Sequence, residues 1–237
     1  MLNIRVQYAY MSVVANSKAS ELTREDVIDA AAELVAERGY AGLSMRALAE
    51  RCGVATMTLY RHVRTKEDLL GALTDRVLAG LELPAPGRLP WQEQIATVFR
   101  SVHDLLLEHP DLVEIAARQH VAGEAAYRGA EVVLDALRRA GIEGESAASA
   151  FAALFAFTLG FTQQQLQASR PDAGLAYQQA VLQRLPVDDF ENLTRLGGVF
   201  LLRHSDRQFD DGLDLIIRGL ASKAKTRATK NRAEGQR

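Results

Sequence analysis

The chain has 237 residues, 48% hydrophobic and 24% charged, with six prolines and seventeen glycines. That composition excludes a disordered or low-complexity chain and suits a small domain joined to a medium one. The single cysteine, Cys52, excludes an intrachain disulfide framework and a cysteine-rich zinc site, and the formal net charge of −2 argues at first against nucleic acid. The total hides an asymmetry, however: 6 basic groups stand against 1 acidic over residues 38–66, and 13 against 22 over residues 67–221. A compact basic segment on an acidic body is the electrostatic footprint of a DNA-reading head, although a solvated basic face carries the same charge.

Residues 1–20 show neither helical nor strand periodicity. The apolar run Tyr8–Ala15 is short for a signal peptide and has only Arg5 before it, so a flexible N-terminal extension of a cytoplasmic protein is expected. Thr23 with Asp26 three residues on reads as a capping box, and Leu22 with Val27 as a hydrophobic staple. Val27, Ile28, Ala31, Leu34 and Val35 share one face of a first helix over 23–38, which ends at Gly39. Ser44 caps a second helix that reaches Arg51, and Cys52-Gly53-Val54 forms a turn. A third helix is expected over 55–61. Thr65 caps a fourth, whose buried stripe is Leu69, Leu70, Leu73, Val77 and Leu78. Pro84, Pro86, Gly87 and Pro90 close this head, giving expected domains of 21–83 and 84–221 and a basic tail over 222–237.

The body reads as helix throughout, near 91–109, 111–118, 123–140, 145–169, 172–184, 189–203 and 206–223, so the expected class is all-α. Residues 146–169 carry no charge, but Thr162, Gln163, Gln164, Gln165 and Gln167 make a membrane span too costly. Such a helix belongs in a core or a subunit interface. The tail, with Lys223, Lys225, Arg227, Lys230 and Arg232, is expected to be disordered and solvated, with weak DNA contacts as the alternative.

Two short helices joined by a glycine-containing turn form a helix-turn-helix unit, whose second helix enters the major groove. That helix, Ala55-Thr56-Met57-Thr58-Leu59-Tyr60-Arg61-His62, is rich in short polar groups that permit close approach to phosphates and base edges. The run Leu43-Ser44-Met45-Arg46-Ala47-Leu48-Ala49, then Cys52-Gly53-Val54, Thr58-Leu59-Tyr60-Arg61-His62-Val63 and Lys66, resembles the TetR-type transcriptional repressors, within them the tetracycline-repressor-like group. Trp91-Gln92-Glu93, Phe157-Thr158-Leu159-Gly160 and Gly212–Leu220 are similar to that group's body, so the resemblance covers about 22–221.

The resemblance implies a homodimer on a palindromic double-stranded DNA operator, released by a small-molecule inducer. Arg46 would read a guanine edge, and Thr56 and Met57 would touch bases. Arg61 would contact a base or a phosphate, and Ser44, Thr58, Tyr60, His62 and Lys66 would hold phosphates. It also implies that occupancy of a pocket in the body reaches the head through the fourth helix. The asparagine, histidine and glutamine that grip the drug in the tetracycline repressor align with Val98, Ala116 and Val133, none of which can coordinate a magnesium–drug chelate. With Val102, Phe151 and Phe155, they imply a largely apolar ligand. Gln164, aligned with a glutamate near the metal, and His103 remain as polar candidates to orient it. His103, His109 and His120 match no compact metal motif and read better as surface or helix-end histidines, so no metal or cofactor is expected. The uncharged 146–169 helix and the stripe Phe209, Leu213, Ile216, Ile217, Leu220 would pair two subunits, the alternative being an ordinary monomer core. An enzyme is disfavoured, because no glycine-rich phosphate loop, nucleophile motif or carboxylate cluster is present. A constitutive DNA-binding regulator without an inducer stays open.

Overall fold

The computed structural model describes residues 22–118, 123–168, 173–201 and 205–234. Among these residues all regular structure is helical. The expected extension over 1–20 and His120 lie outside them. The helices are α1 (Arg24–Arg38), α2 (Met45–Cys52), α3 (Thr56–Leu59), α4 (Lys66–Leu78), α5 (Trp91–Glu108), α6 (Pro110–Arg118), α7 (Glu124–Arg139), α8 (Glu145–Ala168), α9 (Ala173–Gln183), α10 (Glu191–Leu196) and α11 (Asp206–Glu234).

The chain divides into two compact units, one holding residues up to Leu81 together with Glu114–Arg128, the other holding Glu82–Val113 and Gly129 onward. The division differs from the expected 21–83 and 84–221 split, because a stretch of the body, 114–128, belongs with the head. Ala116 lies in that stretch, apart from the other residues expected to hold a ligand.

In the first unit, Thr23 and Asp26 close the capping box reciprocally: the Asp26 N–H donates to Thr23 Oγ1 at 3.1 Å, and the Thr23 N–H donates to Asp26 Oδ2 at 2.8 Å. These bonds hold the Asp26 carboxyl below its ordinary pKa. Ser44 Oγ and Thr65 Oγ1 cap α2 and α4 in the same way. Val27, Ala31 and Leu34 of α1 are buried with Leu43, Leu48, Leu59, Val63, Leu69 and Leu70, so α1, α2 and α4 each turn one apolar face inward.

In the second unit, Ile95, Val98 and Phe99 of α5 are buried with Val133, Ala136 and Leu137 of α7, Leu154 of α8, and Phe209 and Leu213 of α11. Buried hydroxyls are accommodated along α8: Thr158 Oγ1 donates to the Leu154 carbonyl at 2.9 Å and Thr162 Oγ1 to that of Thr158 at 2.8 Å. Helices α8 and α11 approach closely at Gly212, where a β-carbon would fall 2.5 Å from Phe157 Cζ.

Three expected elements need correction. The third helix, expected over 55–61, is only Thr56–Leu59, because the N–H groups of Arg61 and His62 turn to carbonyls three residues back, those of Thr58 and Leu59, rather than four. The 189–203 helix is a short α10 followed by a 3-10 turn over Gly197–Leu201, broken where Gly197 takes φ 54°. The tail, expected to be disordered from 222, continues α11 to Glu234. Its alanine, lysine and arginine content has high helix propensity and holds no proline or glycine up to Glu234.

Candidate nucleic-acid interface and effector site

The helix-turn-helix is made by local rules. Gly53 closes α2 in the left-handed region, φ 67° and ψ 31°, a conformation that a β-carbon penalises. Leu59 and Val63 anchor α3 into the core, both fully buried. That anchoring leaves Met57 at 76% and Tyr60 at 44% exposure, with Arg61 also exposed and Thr56, Thr58 and His62 half-buried. Arg46 is exposed on α2, its Nε 3.1 Å from Glu50 Oε1. Ser44 is exposed at the start of the same helix, where its oxygen accepts the Ala47 N–H at 3.1 Å and its own O–H remains able to donate. Lys66 opens α4 with its Nζ 5.0 Å from the Tyr40 ring centroid, a cation–π contact. Arg51, by contrast, is held by Glu33 and Glu37 of α1.

In the second unit the structure brings together Val98, Val102, Val133, Phe151 and Phe155 in one apolar cluster, with the Phe99 and Phe155 rings 6.3 and 6.4 Å from that of Phe151. Gln164 is exposed. His103 is a correction to the surface reading of the histidines, for it is 2% exposed. Its ring stacks on Phe209 at 3.9 Å and meets Phe161 edge-on. His103 Nδ1 lies 2.7 Å from Thr162 Oγ1. The Thr162 proton already goes to the Thr158 carbonyl, so Nδ1 carries the imidazole proton and donates. Nε2 is left as a buried acceptor without a hydrogen bond, since Asp206 Oδ1 at 3.7 Å is too far. Burial pushes the imidazole below its ordinary pKa, against the opposing pull of Asp104, Asp206 and Asp210. His109 is exposed after α5. Among the described residues no group of three or more His, Cys, Asp or Glu side chains could hold a metal ion.

Sequence reasoning placed Phe209 in an interface stripe and did not place Phe161 at all. Together with Phe157 they wall the imidazole, their ring centroids 5.4 to 5.6 Å apart. The spacing of Phe157 and Phe161, one helical turn, was the available signal.

A basic, exposed second helix on a buried three-helix scaffold, attached to a helical body with an apolar core, defines a helix-turn-helix transcriptional regulator rather than an enzyme. Residues 27–73 match the family model of bacterial regulatory proteins, tetR family, and residues 83–224 match that of the tetracyclin repressor-like C-terminal domain. The class D tetracycline repressor protein of Escherichia coli is 33% identical over 84% of this chain and 89% of its own length. An HTH-type transcriptional regulator of Saccharopolyspora erythraea is 30% identical over 86% of each chain. The crystal structure of the TetR family protein ActR of Streptomyces coelicolor in complex with actinorhodin superposes with a TM-score of 0.77 at 32% identity, covering 85% of this chain and 96% of that one. The chain belongs to the tetR family of DNA-binding transcriptional repressors.

Proposed function

We propose that this repressor works in the cytoplasm as a homodimer on a palindromic operator and is released by a small, largely apolar molecule. On the DNA side, Arg46, Thr56, Met57 and Arg61 contact bases, while Ser44, Thr58, Tyr60, His62 and Lys66 hold phosphates. The exposure of Arg46, Met57 and Tyr60 supports this reading. On the effector side, the observation that carries the reading is the buried His103 Nε2, an acceptor without a partner beside the cluster of Val98, Val102, Val133, Phe151 and Phe155. An apolar ligand with one hydroxyl or N–H would satisfy it. The complex of ActR with actinorhodin supports a ligand in this kind of body. Gln164 and Ala116 are the weaker parts of the expected set, one exposed and the other in the first unit.

Homodimer formation is supported by α8. It is long and apolar enough to cross a membrane, yet only 28% of its most apolar stretch is buried. Its exposed face carries Ala148, Ala152, Ala153 and Ala156, continued by Gln163, Gln164 and Gln167. Small residues allow a second copy's helix to approach closely, and glutamines suit a protein interface better than lipid.

The test is selection of an operator from random duplexes, followed by release assays. Actinorhodin and a panel of apolar hydroxylated compounds are expected to include a releasing ligand whose effect falls at least tenfold with His103→Leu. Magnesium–tetracycline is expected to have no effect, because Val98 and Val133 offer no ligating atom. A repressor that no compound releases or stabilises would instead be the constitutive regulator.

A further inference from the structure

Helix α7 begins without a capping side chain of its own, because the residue before it is Gly123. The first N–H groups of any α-helix need acceptors from outside the helix. Here they come from a residue fifty positions upstream: Ala125 and Ala126 N–H donate to Asp75 Oδ1 at 2.8 and 3.2 Å. Asp75 thus does for α7 what an N-cap aspartate normally does for its own helix, and its charge faces the positive end of the helix dipole. Gly123 is fitted to this arrangement, since a β-carbon there would overlap the Asp75 side chain.

Asp75 is near the end of α4, and α4 is fastened to the DNA-reading scaffold by more than its buried Leu69, Leu70 and Leu73. Asp68 pairs with Arg24 at 3.1 Å, and Arg76 pairs with Asp29, both partners lying on α1. Helix α7 continues past this cap to Arg139, and along it Val132, Val133, Ala136 and Leu137 are buried in the core of the second unit.

We infer that Asp75 is a positioning residue for operator binding, a latch that fixes α4 by capping α7. With the cap made, α4 and the helices fastened to it keep one orientation. With it broken, α4 samples several, and apparent operator affinity falls by the fraction of molecules still in the competent one. A displacement of α7 then reaches the head as a capping bond made or lost, a discrete two-state event. The inference rests on the DNA-binding reading of the head.

The full-length protein tests it, with the duplex that wild type enriches from random DNA. Asp75→Ala and Gly123→Ala are expected to weaken operator binding at least fivefold at unchanged helicity, while Asp75→Asn, which keeps a carbonyl acceptor, stays within about twofold of wild type. In wild-type protein the Ala125 and Ala126 amides are expected to exchange at least fivefold more slowly on the operator than off it. Wild-type affinity in Asp75→Ala, with only the melting temperature lowered, would overturn the latch. So would equal exchange at the two amides with and without DNA, a comparison that decides the matter even if the alanine variants fail to fold. Enrichment of no duplex at all would overturn the DNA-binding reading, and the latch with it.

Discussion

Arg46 shows how a base-reading side chain can be stored at little cost. Its pairing with Glu50 leaves the two side chains 88% and 66% exposed, and such surface pairs are worth at most about 1 kcal/mol. Exchanging the carboxylate for a guanine edge is therefore cheap. Arg46→Ala is expected to lose about 1–3 kcal/mol of discrimination at one base pair per half-site, measured by binding to a panel of single-substitution operators; equal affinity for the whole panel would remove Arg46 from the reading set. His103 makes a second prediction, in pH. The unfolded imidazole takes up a proton near its ordinary 6.5, whereas the buried one resists until lower pH. Over that window the unfolded state binds more protons, so stability falls as pH drops below about 6.5. Melting curves between pH 7 and pH 5 should show a shallower loss for His103→Gln. The candidate DNA residues were legible because capping and turn chemistry are local: Thr23, Ser44, Gly53 and Thr65 each announce themselves within four positions. The burial of His103 was not, because it depends on Phe161, Thr162 and Phe209, more than fifty residues away in sequence.

At the scale of elements, boundaries were read well where a cap marks them and poorly where none does. The third helix was drawn too long because nothing in Tyr60-Arg61-His62 signals the tightening of its last turn. The last helix was drawn too short because a run of lysines and arginines looks like a solvated tail, while its intrinsic propensity favours helix. Two glycines carry element-level predictions. Gly53 has open space where a β-carbon would go, so Gly53→Ala should cost only the left-handed backbone penalty, about 1 kcal/mol, with the turn kept. Gly212 has no such space, and Gly212→Ala should cost about 1–3 kcal/mol by wedging α8 from α11. Urea unfolding of both variants would separate the two mechanisms: a Gly53→Ala cost well above that of Gly212→Ala would contradict this ranking.

At the scale of the molecule, the exposed small-residue face of α8 and Leu215 of α11, 70% exposed, predict a dimer. Sedimentation should give twice the chain mass for wild type, and Ala152→Arg or Leu215→Glu should shift it towards the monomer. An unshifted mass in both variants would place the interface elsewhere. The two-unit division was only partly legible, since proline and glycine mark the 82–90 connection, whereas the inclusion of 114–128 in the first unit depends on the Asp75 cap. The formal charge of 38–66 also overstates what phosphates would meet. Arg51 is committed to Glu33 and Glu37, whereas Lys66 leans only on the face of Tyr40. Each phosphate neutralised lowers the logarithm of the binding constant by about 0.9 per tenfold rise in salt. A salt titration of operator binding is thus an ion counter for the folded head: Lys66→Gln should flatten the line by about 0.9 per bound head, and Arg51→Gln should leave its slope untouched even where it weakens the fold.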